Sequence, residues 1–182
     1  DGFHAVNLWL GALLFVALWR FVLRQSGWLA AALCCGLLFL SPRVGVHALS
    51  NVKDFPQMVL FSLTLLAFHA AWRAGSRAGL LASGVLWGCA LATKANALFL
   101  PGIALAVVVA GRLPERWSGV RGRWLSLAGA ALLGPLTMVA LWPWLWPDPV
   151  ARYWRHLEYV SGQVFQVRSE SLLAPSTALL GT

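Results

Sequence analysis

Charge is scarce in this chain. Only 11% of its 182 residues are Asp, Glu, Lys or Arg, and six are acids. Soluble domains carry roughly 25% charged residues. The shortfall excludes a disordered tail and argues strongly against a soluble globular enzyme. Cysteine is nearly absent as well. Cys34, Cys35 and Cys89 sit inside apolar runs, without zinc-ligand spacing or a disulfide framework. They read as small core residues. Walker, GxGxxG, HExxH and CxxC patterns are missing, which removes the nucleotide and zinc chemistries that those spacings build. A regular array of intramembrane carboxylates, as in many proton-coupled carriers, is missing too.

What is present is apolar surface. Hydrophobic residues make up 59% of the chain, eleven are Trp, and mean hydropathy is +0.72. Bilayer-length apolar runs and interfacial indoles define an all-α, polytopic transmembrane helix bundle. The net charge of +8 would suggest nucleic acid in a soluble protein. Here the basic residues fall between apolar runs and form no stripe interleaved with aromatics. Anionic membrane lipids, not nucleic acid, are their expected counterpart.

The runs predict spans near 5–23, 27–41, 57–72, 80–92, 97–111 and 124–146, giving a membrane domain over 1–149. A more polar extracytoplasmic segment follows over 150–182, with an interfacial helix near 150–160. The stretch 80–111 is read as two helices, because a single one would be about 48 Å long against a hydrocarbon core of roughly 30 Å. Thr93-Lys94-Ala-Asn96 interrupts it. On this topology Arg20, Arg24, Arg73, Arg77, Arg112, Arg116, Arg121 and Arg123 share one side with a single acid, Glu115. The positive-inside rule makes that side cytoplasmic. The segment 43–55, the Lys94 turn and the C-terminal segment then face the opposite side.

Two features there can carry chemistry. In His47-Ala-Leu-Ser-Asn51-Val-Lys53-Asp54-Phe-Pro56, Asp54 lies at a helix start, where free N–H groups favour a carboxylate. It reads either as a cap, with Lys53 and Arg43 as headgroup anchors, or as part of a polar site. In the second reading Arg43 and Lys53 hold a phosphate through charge-assisted hydrogen bonds. Asp54 orients Lys53, binds an acceptor hydroxyl or helps to coordinate a cation, and His47 and Asn51, one helical turn apart, face the site together. Lys94 is the second feature. An ammonium between apolar runs either snorkels to the interface or meets an anionic ligand, with Asn96 beside it. Trp142-Pro-Trp-Leu-Trp146-Pro-Asp148-Pro reads as an aromatic belt with a rigid helix exit, and Asp148 and Arg152 are spaced to pair across a turn.

Three stretches resemble bacterial membrane glycosyltransferases of the family 39 type, relatives of protein O-mannosyltransferases and lipid A aminoarabinose transferases in the GT-C superfamily. They are His4-Ala-Val-Asn7-Leu-Trp-Leu-Gly11, the segment from Ser41 to Pro56, and Gly88-Cys-Ala-Leu-Ala-Thr-Lys94-Ala-Asn96-Ala-Leu-Phe-Leu-Pro101. The resemblance covers most of 1–149 and implies a GT-C-like membrane domain, in part. It also implies transfer of a sugar, with inversion, from a polyprenyl-phosphate donor to a lipid or protein acceptor outside the cytoplasm. The location it implies is the bacterial cytoplasmic (inner) membrane, with the site on the periplasmic face. Lys53, Arg43 and Lys94 would bind the donor phosphate, and Asp54 would be a second, catalytic carboxylate. A divalent cation is allowed, with Asp54 and His47 as candidate ligands. The family's principal carboxylate lies in a first outer loop that this chain is expected to lack, so that it would be inactive alone. The alternatives are a lipid or small-anion transporter or flippase, and a non-catalytic assembly subunit.

Overall fold

A computed structural model describes residues 2–110 and 120–173, and all regular structure among them is helical. Asp1, Arg112, Glu115 and Arg116 lie outside the described residues, as do the side chains of Arg121 and Glu170. The chain divides into two compact units, Asp1–Leu141 and Trp142–Thr182.

The first unit opens with α1 (Gly2–Phe39), which breaks at Gly27, where φ is 85° and ψ 177°. No L-residue holds that backbone cheaply, so glycine is required for its conformation, although nothing crowds the position. The break divides α1 into 2–26 and 28–39. Leu13, Leu33 and Leu37 on it are exposed, a surface suited to lipid. After Pro42, the polar segment expected as an outer loop begins instead with a helix, α2 (Pro42–Ser50). It forms because Val44 and Ala48 pack onto the buried cluster of Leu14, Phe55 and Val59. Buried Asn7 on α1 donates to the Ala48 carbonyl at 2.9 Å, satisfying one of the helix's orphan acceptors.

The next two helices, α3 (Asp54–Ala74) and α4 (Arg77–Thr93), form a hairpin. Gly75, at φ 67°, ends α3 in a Schellman motif, with Ser76 N–H donating to the Ala71 carbonyl at 3.0 Å. The Ser76 hydroxyl then accepts from Gly79 N–H and caps α4. At Lys94 the backbone turns extended, and a short 3₁₀ helix (Ala95–Phe99) leads into α5 (Leu100–Ala110). Finally α6 (Val120–Leu141) packs along α4. A methyl group on Gly84 would come within 2.5 Å of the Ala130 carbonyl oxygen, and Gly88 faces Gly134 and Thr137 in the same way. Small residues four apart on both helices let the backbones touch, the usual means of helix association where water supplies no drive.

Six spans were expected. Of the described helices, α1, α3 and the 122–141 portion of α6 are long and apolar enough to cross a bilayer, while α4 and α5 are shorter. A single helix, broken at Gly27, covers the first two expected spans.

In the second unit, Trp142 precedes a 3₁₀ turn (Pro143–Leu145), and α7 (Pro149–Leu173) follows. Asp148 does not pair with Arg152. Its carboxylate caps α7 by accepting from Ala151 N–H at 3.1 Å, while Arg152 donates to the Trp144 carbonyl and lies 5.4 Å from the centre of that indole.

Candidate functional site

The site gathers where α3 begins and α4 ends. Asn51 organises it. Its Oδ1 accepts the backbone N–H groups of Lys53 (3.0 Å) and Asp54 (2.8 Å). That fixes the orientation of the amide, so Nδ2 points the other way and donates to Asp54 Oδ2 at 2.9 Å. The same nitrogen lies 3.3 Å from His47 Nδ1. An amide nitrogen can only donate, so Nδ1 accepts and the imidazole proton sits on Nε2. Asn51 therefore takes over the capping role open to Asp54 and leaves that carboxylate for other partners.

The other oxygen of Asp54 goes to Lys94, whose Nζ lies 2.7 Å from Oδ1. The two residues are 40 positions apart and both half-exposed. The α3–α4 hairpin brings them together: a chain that runs away from Asp54 and returns antiparallel ends beside it. Behind the pair, buried Gln57 donates from Nε2 to Asn96 Oδ1 at 2.8 Å and accepts from the Thr93 hydroxyl. Trp87 Nε1 donates to the Ala97 carbonyl at 2.9 Å. At the far end of the hairpin stand Arg73 and Arg77. Phe21 of α1, flanked by Arg20 and Arg24, meets His69 near that end.

The structure thus joins His47, Asn51, Asp54 and Lys94 in one chain of contacts, and Asn96 stands just behind it. Lys53 and Arg43 are exposed on the same loop and helix and form no ion pair among the described residues. Asp54 is the one acid among the described residues of this unit. Among the described residues no cluster of three or more His, Cys, Asp or Glu forms a metal site. One carboxylate and one imidazole, linked through an amide, make a poor donor set for a hard divalent cation that takes about six oxygens. Gln57 and Thr93 were not singled out from the sequence. Their signal was present, since an amide within an apolar run one turn after Asp54 has to find a partner.

Below the Lys94 break, α3, α4, α5 and α6 enclose an open apolar groove of about 400 Å³. Trp87, Leu100 and Pro101 line it near the break, and Phe68, Val108 and Trp124 line it farther on. The groove lining includes Leu100 and Pro101, six and seven residues after Lys94, and none of His47, Asn51, Asp54, Lys94 or Asn96. The model of the dolichyl-phosphate-mannose-protein mannosyltransferase family matches residues 4–144. The chain belongs to that family, and with it to the integral-membrane glycosyltransferases of the GT-C type. Comparison with curated proteins and with solved structures returned no match.

Proposed function

We propose that this protein transfers a sugar, with inversion, from a polyprenyl-phosphate donor to a lipid or protein acceptor outside the cytoplasm, and that the Asp54–Lys94 pair meets the donor phosphate. The single observation that carries the reading is the pair itself. A half-exposed ion pair adds little to stability. Holding it by Asn51 in front and Gln57 behind therefore makes sense as the ordering of a binding group. Lys94 has three N–H donors, and with one on Asp54 two remain for phosphate oxygens. Lys53 and Arg43 add positive charge on the approach, and the groove has the apolar walls that an isoprenoid chain needs.

In the proposed reaction the acceptor oxygen bonds to the anomeric carbon as the bond to the lipid phosphate breaks. The acceptor's proton passes to a base, and negative charge gathers on the departing phosphate. Lys94 stabilises that charge, which is where fixed cations have their largest effect. Asp54 orients Lys94 and takes or directs the acceptor proton. The arginine-rich end faces the cytoplasm of a bacterial inner membrane, and the Asp54 end faces the periplasm. A transport path would need charged groups along the helices. In α3, α4 and α5 Lys, Arg, Asp and Glu occur only at the ends.

Membranes carrying the protein are assayed with a panel of polyprenyl-phosphate sugars, wild type beside Asp54→Asn, Lys94→Ala and Lys53→Ala. Loss of transfer in folded Asp54→Asn and Lys94→Ala supports the reading. Wild-type rates in both would sink it.

A further inference from the structure

We infer that Gln57 is a positioning residue for the Asp54–Lys94 pair, clamping the backbone on both sides of Lys94 to the first turn of α3. Lys94 sits alone in extended conformation, φ −160° and ψ 141°, between the last residue of α4 and a 3₁₀ helix. Its own N–H donates to Ala90 and its carbonyl accepts from Ala97. Those bonds fix the path of the backbone along the chain but do not tie it to α3. The Gln57 carboxamide supplies that tie. Its oxygen lies against the hydroxyl of Thr93, immediately before Lys94, and shares that hydroxyl's single proton with the Ala90 carbonyl, and its nitrogen donates to the amide oxygen of Asn96, two residues after.

Asp54 and Gln57 are three apart and share a face of α3. The helix therefore holds the lysine twice, Gln57 at its base and Asp54 at its tip. A lysine stem is long and flexible, so contact at the tip alone leaves the ammonium free to wander once a ligand competes for it. With only 4% of its surface exposed, Gln57 has no access to water, and its amide relies on these partners. The clamp belongs to the site already proposed, and only the kinetic arm of its test rests on that reading.

The chain contains two lysines, Lys53 and Lys94, and Lys53, exposed and without an ion pair among the described residues, serves as an internal reference. The full chain in detergent is treated with limiting N-hydroxysuccinimidyl acetate, and acylation at each lysine is read by peptide mass spectrometry. In wild type Lys94 is shielded by Asp54. Gln57→Leu raises the Lys94-to-Lys53 labelling ratio to that of Asp54→Asn, about fivefold above wild type, the shift that losing one ordinary hydrogen bond produces. Thr93→Val, a near-isosteric change that removes one arm of the clamp, raises it part of the way. A wild-type ratio in both Gln57→Leu and Thr93→Val overturns the inference. So does an unchanged ratio in Asp54→Asn, because Gln57 would then have no pair to position. In transfer assays Gln57→Leu lowers kcat/KM for the donor about fivefold, with kcat itself reduced, and leaves the acceptor KM unchanged. A shifted labelling ratio with an unchanged kcat/KM for the donor supports the clamp and overturns the donor-phosphate role of Lys94.

Discussion

The two ends of the α3–α4 hairpin are built on opposite terms. At the Gly75 end the chain turns through a Schellman motif and a serine cap, with Trp72 and Leu80 buried at the turn. Beyond it α4 and α6 touch backbone to backbone at Gly84 and Gly88. The Ser76 hydroxyl and the backbone N–H groups of Gly75 and Ser76 are used to close helices. At the Lys94 end α4 stops without a turn motif, one residue goes extended, and side chains stand half in water, held by a buried amide. The first end joins helices; the second keeps charged groups in place without burying them. Polar residues at a helix end acquire a functional reading when they bond to one another across elements, and a structural one when they bond only to their own backbone.

Breaking the polar end has the largest expected effect. Lys94→Ala lowers kcat/KM for sugar transfer by about 100-fold or more, the loss typical of removing a fixed transition-state donor. Unchanged helicity by circular dichroism and an unchanged melting temperature in detergent separate this from misfolding. Breaking the packed end does the reverse. Gly84→Val drives a side chain into the Ala130 carbonyl and costs about 1–3 kcal/mol of stability, read as a lower melting temperature. Gly75→Ala places a Cβ in the left-handed region and costs about 1 kcal/mol, with transfer retained at temperatures where the fold holds. The smallest effect sharpens the comparison. Lys53→Ala, which breaks no side-chain hydrogen bond or ion pair among the described residues, leaves the melting temperature unchanged and raises the donor KM a few-fold at low salt. The difference fades as ionic strength rises and the Debye length falls to about 8 Å at 0.15 M.

Much of this was legible from residue order. The interruption at Thr93-Lys94-Ala95-Asn96 shows because an ammonium and an amide within an overlong apolar run demand an exit. The first break shows because Arg24 and Gly27 separate two runs. The helical state of Pro42–Ser50 was hidden. Its polar residues read as an open loop, and its order comes from packing on Leu14, Phe55 and Val59 and from Asn7, 41 residues from the carbonyl that it serves. The Asp148–Arg152 spacing misled, because capping α7 and stacking on Trp144 offered each residue another partner. Gln57 was passed over because a single amide in a run of apolar residues carries no periodicity.

Composition and run length decide that this chain lives in a bilayer, because transfer free energies add up along a segment whatever it later packs against. The family likeness follows from the order and spacing of its polar stretches. The partner of a given charge is another matter. Asp54 meets Lys94, and Gln57 brackets it, because α4 returns antiparallel beside α3, and no local rule relates residues 40 positions apart. Hydrogen-bonded contacts form only at about 3 Å, so their pairing is settled only when the helices have docked.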